Sequence, residues 1–164
     1  MKKAELNYVP VRAEDKAEGM VFVPAWTVVY TGPEEDSESY GNTSLKCLCE
    51  FVNIQFDYWT KNEFALYFRR MITLEQYKNE EMKKLYRDML ASGPVKYSED
   101  LFREMIKNGR LNGKAAKIGA KCLAIQLYAP LHLALQLYDT NENDCKKIKR
   151  DLKMITKDFE ERWK

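Results

Sequence analysis

The chain has 164 residues, of which 45% are hydrophobic and 32% are charged. This length and this composition are typical of one globular domain with a real core, and they exclude a disordered chain. The 27 basic and 25 acidic side chains give a formal net charge of +2, so overall charge provides no reason to expect nucleic-acid binding.

No run of residues is apolar over the length that a bilayer requires. The most apolar region, residues 122–138, is interrupted by Gln126, Pro130, His132 and Gln136. The N-terminal lysines are followed by no apolar run, so the start is not typical of a signal peptide. We therefore expect a cytoplasmic protein with no membrane partner.

Residues 1–43 differ in character from residues 44–164. They hold three of the five prolines and three of the seven glycines. Residues 21–23 and 26–30 are β-branched and aromatic, as short strands are, and residues 34–37 indicate an acidic loop. A strand, an extended arm and disorder all remain open for this irregular or short-stranded segment. It contains no helix followed by a turn and a recognition helix, so it has no DNA-reading helix-turn-helix.

The second part, residues 44–164, predicts an all-α domain. Thr43 or Ser44 can cap a helix to about residue 59, and Asn62 and Asn79 can cap the next two. The helix after Asn62 carries its apolar side chains on one side. These are Phe64, Tyr67, Phe68, Met71 and Leu74. Most aromatic side chains of the domain are expected in the core.

The penultimate predicted helix, residues 114–138, follows a helix that begins near Gly93-Pro94 and stops at Asn108-Gly109. From Cys122 onward it is apolar almost all the way round, so it must be covered on most sides. One side can face the domain's own core, and a partner chain is the natural cover for another. Pro130 lacks the amide hydrogen that would reach Gln126 and should bend this helix.

The last predicted helix, about residues 142–163, has a single apolar stripe on a charged background. This pattern is typical of a helix–helix seam, either with a second chain or with the domain's own core. We predict a homodimer interface on this stripe. Its residues are Ile148, Leu152, Ile155 and Phe159.

A ligand cavity is predicted between the helices. Tyr128, His132 and Gln136 form one polar stripe at i, i+4 and i+8, either as anchors for a ligand or as a satisfied polar ladder. The candidate cavity residues are Phe56, Trp59, Phe68, Met71, Tyr97, Phe102, Met105, Tyr128 and His132. The rival outcome is that the same side chains fill the interior.

Signatures of enzymes and of metal sites are absent from the sequence. There is no Gly-rich phosphate loop and no nucleophile motif, and the single histidine excludes multi-histidine metal sites. Cys47 and Cys49 point to different faces of a helix, so reduced thiols are expected rather than a metal site or a disulfide. Arg69 and Arg70 could pair with an anionic ligand or lie on a solvated helix face, and we favour the second. We expect no enzyme activity, no metal and no cofactor.

Several stretches resemble the C-terminal domain of the TetR family of transcriptional regulators. They are FDYWTKNEF at 56–64 with FRRMITLEQY at 68–77, LYRD at 85–88 running to Gly93-Pro94, and LYAPLHL at 127–133. The resemblance covers about residues 44–163. It implies a helical bundle that dimerises through its last two helices as a four-helix interface, with a small-molecule pocket in each subunit.

The resemblance predicts a TetR-type sensor domain that dimerises and binds a small, largely apolar effector. The family carries a three-helix DNA-binding domain before these helices, which residues 1–43 do not resemble. We therefore expect no specific binding of duplex DNA by this chain alone. The alternative is a ligand-free helical dimerisation or interaction protein.

Overall fold

The computed structural model describes residues 43–164. Seven α-helices and one short 3-10 helix, Glu142–Asp144, form this part of the chain, and no strand occurs within it. The helices are α1 (Leu45–Lys61), α2 (Glu63–Glu75), α3 (Glu80–Leu90), α4 (Ser92–Lys107), α5 (Gly113–Ile118), α6 (Ala120–Thr140) and α7 (Cys145–Trp163). The predicted all-α class is confirmed. The predicted irregular or short-stranded segment lies outside the described residues, apart from Thr43.

Three predicted helix caps are present. The side-chain oxygens of Ser44, Asn62 and Asn79 accept backbone N–H groups at the starts of α1, α2 and α3. Each cap satisfies an amide that has no partner within its own helix, which is why these residue types mark helix starts. The predicted stop of α4 is also confirmed, since Gly109 follows it with a positive φ of 64°.

The prediction of a single long helix over residues 114–138 is wrong. Gly119, with φ 86° and ψ 149°, separates the six-residue α5 from α6. Residues other than glycine rarely adopt this backbone conformation, because their Cβ is strained there. The break between the two helices therefore depends on glycine at position 119. Asn112 caps α5 and also donates its side-chain amide to the carbonyl of Arg162 at 2.7 Å. The short α5 is thereby tied to the C-terminal end of α7.

Helix α6 lies at the centre of the bundle and packs against α1, α4 and α7. Leu123, Leu127, Leu131 and Leu135 on its inner side are all buried. Burial of each leucine contributes about 1.5–3 kcal/mol, so this one side of α6 supplies a large part of the core. No described helix is both long enough and apolar enough to cross a membrane.

Helix α2 buries a different side from the one predicted. Its buried residues are Ala65, Arg69 and Ile72, which share one side at i, i+4 and i+7. The predicted core side is instead largely in solvent, with Phe64 and Leu74 each 71% exposed. The expectation that aromatic side chains enter the core is therefore wrong for this helix.

Gly119→Ala should destabilise the fold by about 1–3 kcal/mol, because the alanine Cβ is strained at this positive φ. Gly113→Ala is the matched control, since neither glycine has an atom within 4 Å of its added Cβ and Gly113 has no positive φ. Gly113→Ala should be neutral or slightly stabilising. Chemical denaturation measures both. Equal effects of the two substitutions would contradict the role assigned to Gly119.

Candidate functional site

The outer side of the α6–α7 pair carries exposed apolar side chains. We call this surface the α6–α7 face, and it consists of Ile125, Ala129, Leu133, Leu137, Met154 and Ile155. Leu133 is 59% exposed and Ile155 is 49% exposed. Helix α6 is thus apolar on two sides, one buried in the core and one open, as the all-round apolar pattern requires.

A groove of about 400 Å³ runs between α6 and α7 on this face. Its apolar lining includes Pro130, around which α6 continues as helix. Its polar lining consists of Gln126, Asp158 and Arg162. An apolar centre with polar groups of both charge signs around it is the composition of a protein–protein interface.

The predicted interface residues of α7 divide between two environments. Ile148, Leu152 and Phe159 are buried against the protomer's own core, whereas Ile155 lies on the α6–α7 face. Phe159 also contributes to the lining of the groove. The stripe on α7 therefore packs mainly on its own core, and the exposed surface next to it is formed jointly with α6.

Five of the nine predicted ligand residues lie in the buried core, and the other four are partly buried or exposed. Phe56, Phe102 and Met105 are each at most 1% exposed within the core, and Trp59 is also buried there. Phe102 packs on Phe159, with ring centroids 5.9 Å apart. Tyr128 is buried in the same core. Phe68 and Tyr97 are partly buried against it, whereas His132 is partly buried and Met71 is exposed on α2.

The polar stripe of α6 meets the junction between α3 and α4. The buried Tyr128 hydroxyl donates to the carbonyl of Leu90, the last residue of α3, at 2.7 Å. Burial lowers the pKa of His132, and this outweighs the opposing effect of its hydrogen bond to the same carbonyl. Tyr128 thus acts as a satisfied polar group that fixes the end of α3, which is one of the two readings left open by the sequence.

An ion pair between the buried Arg69 and the partly exposed Asp139 joins α2 to the end of α6. The Arg69 side chain is 1% exposed and donates two hydrogen bonds to Asp139, at 2.5 and 2.8 Å. Arg70 bonds to Asp139 at 2.9 Å and to Glu142 at 2.7 Å. Burial alone would raise the pKa of Asp139, but the hydrogen bonds from both arginines outweigh burial and lower it.

The expectation that Arg69 and Arg70 lie on a solvated helix face is wrong for Arg69. The signal that could have found it is the spacing of Ala65, Arg69 and Ile72, which places the arginine within a buried stripe. Sequence spacing does not reveal Asp139 as its partner, because the two residues are 70 positions apart. This pair holds α2 against the connection between α6 and α7.

The outer side of α2 forms a second exposed apolar surface, the α2 face, consisting of Phe64, Tyr67, Phe68, Met71 and Leu74. The Phe64 and Phe68 rings stack with centroids 5.8 Å apart and an interplanar angle of 11°. An open groove of about 520 Å³ lies on this face. Isolated exposed apolar residues are ordinary, but a contiguous patch of this kind marks an interaction surface.

The described cysteines offer no assembled reactive site. Burial raises the pKa of the Cys49 thiol to about 12, with a further contribution from nearby Glu160. This thiol therefore stays protonated and unreactive. Within residues 43–164, no three histidine, cysteine or acidic side chains converge as metal ligands do.

Asp139→Asn should destabilise the fold by about 2 kcal/mol, below the range for fully buried pairs because Asp139 is 24% exposed. The substitution preserves side-chain shape but leaves the Arg69 cation without its carboxylate. Glu80→Gln, which removes an 88% exposed carboxylate paired with Lys83, is the control and should have no measurable effect. Urea denaturation compares the variants, and equal stabilities would contradict the importance of the pair.

Comparison with known proteins adds no relative. No protein-family model matches the chain, and neither a curated protein nor a solved structure matches it at a significant level. The resemblance to the TetR family therefore rests on the residue patterns in 44–163.

Proposed function

We propose that this chain is the dimerisation and sensor domain of a TetR-type regulator, pairing two copies through the α6–α7 face and binding a small, largely apolar effector. The observation that carries the proposal is the open apolar side of the bundle's central helix. Leu133 and Leu137 on that side are 59% and 48% exposed. Transfer of such side chains out of water is favourable by roughly 25 cal/mol per Å² of buried apolar area.

A second copy is a suitable cover for the α6–α7 face because the face is self-complementary. Its centre is apolar, and its groove is bordered by Asp158 and Arg162, which pair with each other on α7. In a two-fold arrangement the same patch meets itself, so a border whose charges cancel avoids like-charge repulsion. Two helices from each copy would form a four-helix interface, which for an obligate dimer is expected to bury on the order of 2,000 Å² or more.

The binding of an effector is proposed from the types of side chain in the helices. The helices carry many aromatic residues and methionines, and the buried Met105 can adapt to an irregular guest. The half-buried His132 on α6 offers a polar group to orient it.

The ligand-free dimerisation module is the second candidate function, and a specific observation favours it. Phe56, Phe102 and Met105 fill the centre of the bundle with at most 1% exposure each. Interiors filled in this way leave little space for a guest unless side chains rearrange.

Leu133→Glu combined with Ile155→Glu should convert the dimer to a folded monomer, weakening association on the order of 100-fold or more because each buried carboxylate would lack a partner. Both side chains are exposed in the protomer, so helical content should remain unchanged. Lys153→Glu, on another side of α7, is the control and should leave the dimer intact. Sedimentation velocity at micromolar concentration measures the mass. A monomeric parent chain would overturn the proposal.

Thermal denaturation in the presence of small, largely apolar compounds separates the sensor from the ligand-free module. A compound present at 100 times its Kd and bound only to the folded state should stabilise the protein by about 2.7 kcal/mol. The sensor proposal expects such a compound in a chemically diverse set. A dimer whose melting temperature is unchanged by every compound selects the ligand-free module.

A further inference from the structure

The α2 face is not explained by pairing through the α6–α7 face. Its side chains project from α2 on the side opposite Ala65 and Ile72, which pack inward. Phe64 is 71% and Tyr67 is 60% exposed. Within the described residues nothing covers these rings, although the groove beside them is large enough, at about 520 Å³, to receive bulky side chains.

A segment of the same chain has the composition to cover this face. Residues 21–30 are rich in β-branched and aromatic side chains, and they lie outside the described residues. These side chains are Val21, Phe22, Val23, Trp26, Thr27, Val28, Val29 and Tyr30. An apolar stretch of this kind gains free energy by leaving water, as the rings of the α2 face do.

The N-terminal segment and the helical domain also carry opposite net charges. Four of the 27 basic and eight of the 25 acidic side chains lie in residues 1–42, so that segment carries −4 and residues 43–164 carry +6. The lysines that flank α2 are already paired with acids, Lys61 with Asp57 at 3.1 Å and Lys78 with Glu75 at 2.6 Å. Glu63 lines the groove itself, so attraction between the two parts of the chain comes only from their opposite net charges. The acidic residues at 34–38 are separated from the apolar stretch by three residues, and they supply half of the acidic side chains of residues 1–42.

The chain between the two parts is long enough. The described residues begin at Thr43, whose carbonyl accepts a hydrogen bond from Arg110. The 12 residues at 31–42 can span about 40 Å when extended. Helix α1, with 17 residues, is about 26 Å long, and α2 begins one residue after it. A tether of this length raises the local concentration of the segment to the millimolar range.

We propose that residues 21–30 bind the α2 face of the same chain, with the aromatic and β-branched side chains packing against Phe64, Tyr67 and Leu74. The contact gives the N-terminal segment a defined role as the cover of an apolar surface. It is independent of the proposed function, because it requires neither a dimer nor an effector.

Photo-crosslinking tests which chain covers the face. Tyr67 is replaced by the photoreactive amino acid p-benzoylphenylalanine in the full 164-residue chain, and the products are mapped by mass spectrometry. Mixing ¹⁴N- and ¹⁵N-labelled chains distinguishes crosslinks within one chain from crosslinks between copies. We expect crosslinks to residues 21–30 that never combine the two isotopes. Glu81, exposed on α3, is the control position and should yield no such product.

Limited proteolysis gives an independent measurement. Chymotrypsin cleaves after aromatic residues, so docking should protect Phe22, Trp26 and Tyr30. Phe64→Ser with Leu74→Ser should accelerate cleavage at these sites by about tenfold or more, because two exposed side chains lose their apolar contacts without affecting the core. Lys83→Ser with Lys84→Ser is the control and should leave the rate unchanged.

Three results would overturn the proposal. Crosslinks that combine both isotopes would show that a second copy covers the α2 face. Crosslinks to neither residues 21–30 nor another copy would show that the face is open. Equal cleavage rates in the parent chain and the Phe64/Leu74 variant would show that these side chains do not hold the segment.

Discussion

The Arg69 side chain is only 1% exposed. A buried cation is costly unless a carboxylate pairs with it. Asp139 supplies the carboxylate from the last turn of α6 and also binds Arg70, which reaches Glu142 in the turn before α7. The rotation of α2 follows from this pairing. With Arg69 pointing inward, Phe64 and Leu74 lie largely in solvent and Phe68 is only partly buried. The ion pair therefore specifies an orientation that hydrophobic patterning alone would not select.

Helix α6 serves two surfaces at once. Its leucines at 123, 127, 131 and 135 form the centre of the core, while Leu133 and Leu137 remain at the surface. Gly119 separates α5 from α6 in a conformation that a Cβ would strain. The Tyr128 hydroxyl fixes the end of α3 against α6.

The domain thus leaves two apolar surfaces with different chemistry. The α6–α7 face is aliphatic and spans two antiparallel helices, with Asp158 and Arg162 at its groove. These features suit a copy of itself. The α2 face is largely aromatic and lies on a single helix, and Glu63 also lines its groove. It suits an apolar, aromatic chain segment, and the chain contains one at residues 21–30. The two surfaces therefore suit binding partners of different composition.

From the sequence alone, the helix starts at Ser44, Asn62 and Asn79 and the stop at Gly109 could be predicted, because caps and positive-φ glycines are local chemistry. The sequence pattern of α6 also indicated that this helix is apolar on two sides. Tertiary structure alone decided that Arg69 and Asp139 meet and that the aromatic side of α2 faces outward. It also decided that Met71 lies at the surface while Phe56 and Phe102 are buried. These outcomes depend on contacts between residues far apart in the chain, and periodicity reports which residues share a side without showing what that side meets.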